Sequence, residues 1–185
     1  MHERNNMENK KKYITNGWLA VAIVTLILVI DQIIKIEVKT NMTLGEAIRV
    51  TDWFYIEFIE NNGMAYGMTF FNKLVLSLFR TFAIGAISWY IWRAVKSGLY
   101  SRGYVVCLAM ILAGAAGNLI DCLFYGLVFD ASTPFSVAGF VPFGTGYSTF
   151  LHGKVVDMFY FPIIRTTYPD WMPMVGGDDF VFFSP

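Results

Sequence analysis

Asp157 stands alone in the run Val155-Val156-Asp157-Met158-Phe159-Tyr160-Phe161. A carboxylate there loses hydration if the run is buried or lies at a membrane surface. Desolvation disfavours the charged form and lifts the pKa toward the range in which a carboxyl can exchange protons. General acid or base chemistry is what such a group would serve; a cap at the end of a strand or helix is the structural alternative. Asp31 and Lys35 are four residues apart, which puts them on one helix face, where they either neutralise each other or hold the backbone of a neighbouring loop. Asn118 and Asp121 are three apart and follow Gly114-Ala115-Ala116-Gly117, whose small side chains admit a neighbouring backbone. They form either a polar site facing other helices or interhelical glue without chemistry. Asn61-Asn62-Gly63-Met64-Ala65-Tyr66 has turn character, since Gly63 tolerates a positive φ and Asn61 can bond backbone groups. Arg80, about two turns inside an apolar stretch, must reach the membrane surface or find a carboxylate such as Asp121.

The elements that must position these residues are membrane helices. Of 185 residues, 56% are hydrophobic, 17% aromatic and only 15% charged, far more apolar than a soluble domain of this size. The formal net charge is zero and the only basic block is a short N-terminal cluster, so nucleic acid is not an expected partner. Cys107 and Cys122 fall in apolar stretches with neither disulfide nor zinc spacing, and His2 and His152 are far apart, so neither a metal nor a cofactor is expected. Apolar runs at about 14–35, 74–92 and 104–129 are each long enough to cross a bilayer, which takes about 20 residues. The first runs directly into Asp31-Gln32-Ile33-Ile34-Lys35 and is followed by further spans, which makes it a span and not a signal peptide.

Lys10-Lys11-Lys12 and the Arg93, Lys96, Arg102 connection place the N-terminus and that connection in the cytoplasm, leaving 37–72 and 130–185 as outer segments. Trp89, Tyr90 and Trp92 suit the headgroup level as anchors. Residues Asp52 to Ile59 alternate as a strand with one wet and one apolar face, whereas 131–152 and 166–177 are rich in turn residues and are not spans. The expected fold is an all-α membrane protein: one domain over 1–185, a transmembrane bundle of three spans with a small β-rich cradle on the outer side.

In order, Asp31-Gln32-x-x-Lys35, Asn61-x-Gly63-x-Ala65-Tyr66, Gly117-Asn118-Leu119-Ile120-Asp121 and Val155-Val156-Asp157-Met158 resemble the sequence blocks of the bacterial lipoprotein signal peptidases, or signal peptidase II. The resemblance covers most of the chain. It implies an integral aspartyl endopeptidase of the bacterial cytoplasmic (inner) membrane, cutting prolipoproteins just before a diacylglyceryl-modified cysteine near the outer face. It also implies that Asp157 is one half of the catalytic pair, that Asn118 and Asp121 position substrate or a partner helix, and that Asp31, Lys35, Asn61 and Gly63 shape the site. Substrate acyl chains would lie in lipid beside the spans.

The chain departs from the pattern in four places. The family's second catalytic Asp belongs to a Phe-Asn-x-Ala-Asp block opening a fourth span, and no such block occurs before Phe180-Val181-Phe182-Phe183-Ser184-Pro185. Asp178 and Asp179 lack that context, so the second acid and fourth span are expected beyond Pro185, and these 185 residues are not expected to cleave substrate unaided. Cys122 stands where the family has Arg, and Met158 replaces Phe. The segment from Asp130 to His152 is longer than the family's link, as an elaborated outer lid or cradle would be. Two alternatives stand beside the peptidase: a multi-pass scaffold or small transporter with a structural polar network, and an inactive fragment of the peptidase.

Overall fold

The computed structural model describes residues 2–61, 73–167 and 179–182. Three long helices dominate: α1 (His2–Asn41), α2 (Lys73–Ser97) and α3 (Arg102–Ile120). Their stretches Ile14–Asn41, Lys73–Ser97 and Arg102–Val128 are apolar and long enough to cross a membrane. The first holds 28 residues, about 42 Å at about 1.5 Å per residue, ample for a hydrocarbon core of about 30 Å. Trp18, Leu26, Ile33, Phe79, Phe82 and Ile111 remain exposed on the bundle, as expected of helices whose outer faces meet lipid and not water. Inside, Ala20, Ile91, Val95, Val105 and Ala109 form the core between the three helices. α1 continues to Asn41, six residues past the expected end at 35, and so brings Lys39 onto the face that carries Asp31 and Lys35.

Close approach between α1 and α3 is narrower than the 114–117 motif suggests. A Cβ on Gly114 would meet nothing within 4 Å, whereas one on Gly117 would overlap the Asp31 carboxylate. The small residue that matters therefore makes room for a charged side chain, and not for a neighbouring backbone.

Past Ile120 the helix loosens into a π-helical turn, Asp121–Tyr125, and ends with a last turn at Gly126–Val128. Such a turn and a helix end leave carbonyls without helical partners. The segment after it supplies them. Gly153 N–H donates to Cys122 O (2.9 Å), Ser148 to Gly126 O (2.9 Å), Gly144 to Leu127 O (2.9 Å), Val141 to Val128 O (2.9 Å) and Tyr147 to Phe129 O (3.0 Å). The long segment 130–152, expected as a lid or cradle, thus wraps the end of this span and, with Gly153, supplies partners to its carbonyls. Gly153 must be glycine, because a Cβ there would overlap the carbonyl oxygen of Asp121.

Above the helix ends lies a three-stranded antiparallel sheet, β1 (Ala47–Thr51), β2 (Phe54–Asn61) and β3 (Val155–Tyr160), in the order β1-β2-β3. Separately, β4 (Ile164–Thr167) pairs antiparallel with β5 (Asp179–Phe182). The strand expected over Asp52 to Ile59 begins later: Asp52 and Trp53 form the β1–β2 turn, closed by an exposed Arg49–Asp52 ion pair, and β2 extends to Asn61. Phe58, Val156 and Met158 seat the sheet on Val38, Met42, Tyr125 and Phe129 at the ends of α1 and α3.

Gly153→Ala is expected to lower the unfolding free energy in detergent micelles by about 1–3 kcal/mol through overpacking. Gly114→Ala, with open space at Cβ, is expected to be neutral or stabilising by up to about 1 kcal/mol. Equal melting of Gly153→Ala and the parent chain would show that the loop does not bear on the π turn.

Candidate active site

α1 carries the residues around which the site is assembled. Lys35, 3% exposed, donates from Nζ to Asp121 Oδ2 (2.7 Å) and Asn118 Oδ1 (2.9 Å), and lies 3.3 Å from Asp31 Oδ2. Asp121, fully buried, also accepts from Gln32 Nε2 at Oδ1 (3.0 Å) and from the backbone N–H of Val156 at Oδ2 (3.3 Å). Gln32 Nε2 reaches Asp31 Oδ2 as well (3.1 Å), and its Oε1 accepts from the Tyr125 hydroxyl (3.2 Å). Buried charges are tolerated when paired and fully hydrogen-bonded, and this group meets that condition with residues from α1, α3, the π turn and β3.

Asp157 follows Val156 on β3. Because strand side chains alternate, Val156 enters the core and Asp157 turns to the opposite face, half-buried, where it accepts a hydrogen bond from Asn61 Nδ2 at the end of β2. Burial is the largest influence on the Asp157 carboxyl and lifts its pKa above the ordinary value. The cations of Lys35 and Arg80 and the Asn61 amide pull it back down, while Asp31 pushes it further up. Arg80 donates from Nη1 to the buried Cys122 Sγ (3.3 Å). Asp121, its expected partner, is held by Lys35.

One helical turn beyond Lys35, a second buried group joins α1 to the sheet. Lys39 pairs with Glu60 of β2 and donates to Ser132 Oγ (2.8 Å); Ser132 Oγ also donates to Glu60 Oε1 (2.9 Å), and Lys154 Nζ donates to Glu60 Oε2 (3.1 Å). The Lys39 ammonium lies 5.9, 5.3 and 5.1 Å from the ring centres of Phe58, Phe129 and Tyr147, within cation–π range. Burial pushes the Glu60 carboxyl up, but the hydrogen bonds and charges of Lys39 and Lys154 outweigh it and hold Glu60 below the usual carboxylate range, ionised.

The structure thus brings Asp31, Lys35, Asn118 and Asp121 into one network and sets Asn61 on Asp157 beside it; Gly63 lies outside the described residues. Sequence reasoning assigned no role to Gln32, Lys39, Glu60, Ser132, Tyr125 or Lys154. Lys39 carried a signal, since it continues the four-residue spacing of Asp31 and Lys35. Among the described residues no cluster of His, Cys, Asp and Glu has the arrangement of a metal site.

Removing Lys35 leaves Asp121 buried without its counter-ion, so Lys35→Met is expected to cost about 3–5 kcal/mol of unfolding free energy. Adding Asp121→Asn should return part of that loss, with a coupling energy of about 0.5–3 kcal/mol. Strictly additive effects of the two substitutions would contradict the pairing.

A family model described as signal peptidase (SPase) II matches residues 23–182. The lipoprotein signal peptidase of Porphyromonas gingivalis is 46% identical over 169 residues, covering 91% of this chain and 74% of that protein. That of Amoebophilus asiaticus is 35% identical over 166 residues, 86% of this chain and 66% of that protein. Two solved bacterial membrane enzyme structures share the fold, with TM-scores of 0.54 and 0.55 at 22% and 20% identity, covering 78% and 87% of this chain and 75% and 76% of theirs. With the family model spanning most of its length, this chain belongs to the signal peptidase II family.

Proposed function

We propose that the protein is a membrane aspartyl endopeptidase that removes signal peptides from diacylglyceryl-cysteine prolipoproteins, and that Asp157 is one of its two catalytic acids. The observation that carries the assignment is the setting of Asp157: a half-buried carboxyl with a raised pKa, held by Asn61 and placed by the strand whose Val156 N–H is bonded to Asp121. Two carboxyls held close share a proton because both cannot ionise. One then takes a proton from the attacking water while the other donates to the scissile carbonyl oxygen. Such a pair titrates as a unit.

Neither Asp31 nor Asp121 suits the role of second acid, since both are engaged by Lys35 and Gln32. They belong to the framework that fixes Asp157, with Lys35 and Asn118; Asn61 orients the carboxyl directly. The resemblance implies a second Asp as the partner of Asp157. The cations at Lys10 to Lys12, Arg93, Lys96 and Arg102 favour a cytoplasmic N-terminus in the bacterial inner membrane with Asp157 at the outer face. Acyl chains of the substrate then rest in lipid beside the spans while the peptide reaches the sheet.

Expressed from its full reading frame in cells lacking any other such peptidase, Asp157→Asn is expected to reduce prolipoprotein cleavage by about 10²–10⁴-fold. Cleavage at the parental rate would sink the assignment. The acidic limb of the pH profile should lie above the ordinary Asp value of about 3.9. Arg80 favours the ionised form of Asp157, so Arg80→Gln should raise the carboxyl's pKa further and move that limb to higher pH, whereas Arg80→Lys should hold it near its parental position. A limb indifferent to the charge at 80 would remove Arg80 from the account.

A further inference from the structure

At the end of the bundle away from Asp157, two cavities meet at Trp92. One is an apolar groove of about 330 Å³ between the helices, lined by Gly17, Ala20, Val21 and Val24 of α1 and by Ile91 and Val95 of α2, among others. The other, about 470 Å³, is formed by Trp89, Trp92, Arg93, Lys96 and Ser97 in the last turns of α2. The Arg93 guanidinium lies 5.2 Å from the Trp89 ring centre and the Lys96 ammonium 4.9 Å from that of Trp92. Neither cation forms an ion pair with a carboxylate among the described residues.

A helix C-terminus attracts cations through its dipole, which accounts for Arg93 and Lys96 but not for the groove they adjoin. Exposed tryptophans beside cations at the end of a span mark headgroup level, and the groove runs from there toward the bilayer centre. Its volume decides the class of occupant. It falls at the small end of ligand sites, about 300–1,000 Å³, which suits a single hydrocarbon chain better than a peptide helix about 10–12 Å across. Two cations at its mouth, with no carboxylate partner among the described side chains, complement a phosphate. The groove also lies where the bundle is thinnest, since α1 and α2 pack chiefly on α3 and touch each other far less.

We propose that an anionic phospholipid of the surrounding bilayer occupies this site, one acyl chain in the groove and its phosphate between Arg93 and Lys96, bridging α1 and α2. Ser88 and Leu112 line the same groove and would contact the chain.

The test is native mass spectrometry of the delipidated protein titrated with phosphatidylglycerol or phosphatidylcholine of equal chain length. The parent protein should retain phosphatidylglycerol several-fold more than phosphatidylcholine, Arg93→Gln/Lys96→Gln should lose that preference, and Arg93→Lys/Lys96→Arg should keep it. Val24→Trp, which fills the groove, should weaken retention of both lipids. Equal retention of the two lipids by the parent protein would overturn the proposal even if a variant failed to fold. A photo-crosslinker at Ser88 should label lipid; labelling of a prolipoprotein signal segment in its place would assign the groove to peptide and overturn it equally.

Discussion

The contact between Lys35 and Asp121 is the constraint on which the rest of the site depends. Each charge forfeits several kcal/mol of hydration when buried, and their mutual attraction offsets this only if the remaining donors and acceptors are used. They are used: the ammonium meets oxygens of Asp31, Asn118 and Asp121, and both carboxylate oxygens of Asp121 accept hydrogen bonds. One of those donors is the backbone of Val156, so the pair reaches beyond the two helices and fixes β3. With Val156 fixed on the core side, strand alternation leaves Asp157 a single face to occupy. The position of a half-exposed carboxyl is thereby set by a fully buried one.

A single anchor would leave the sheet free to pivot, and the second buried group removes that freedom. Lys39 lies one turn along α1 from Lys35 and grips Glu60, which stands opposite Val156 in the β2–β3 register. The antiparallel β2–β3 pair that holds both Asn61 and Asp157 is therefore tied to one face of α1 at two heights. Ser132 and Lys154 bring in the two ends of the segment that wraps the end of the third span. That segment and the sheet are thus one framework with the helices.

The spans and the polar blocks were legible because apolar length and i,i+4 spacing are local properties of a chain. Asp31 and Lys35 could be placed on one face by counting, but the preference of Lys35 for Asp121 over Asp31 depends on how α1 and α3 pack, which no spacing encodes. Lys39 escaped because the first span was expected to end at 35, although its own spacing extended the series. The β1–β2 turn was hidden for a different reason: Trp53 and Phe54 begin an aromatic, strand-like run immediately after Asp52, with no Gly or Pro to mark the reversal there. Glycines between 130 and 153 signalled turns, yet which carbonyls those turns serve is decided by the π turn, itself invisible in the sequence.

Cys122 shows how a departure from a family pattern can be absorbed by geometry. The pattern leads one to expect an arginine after Asp121; here the position holds a small buried thiol, and its sulfur accepts a hydrogen bond from Arg80 of α2. A second arginine at 122 would crowd one guanidinium against another in a site already holding Lys35, and like charges at such range destabilise each other. A thiol in that place lets the cation arrive from another helix. The field it exerts still favours the ionised form of Asp157, as that of Lys35 does. Beside Cys122 the positive charge thus comes from α2, and its field reaches Asp157.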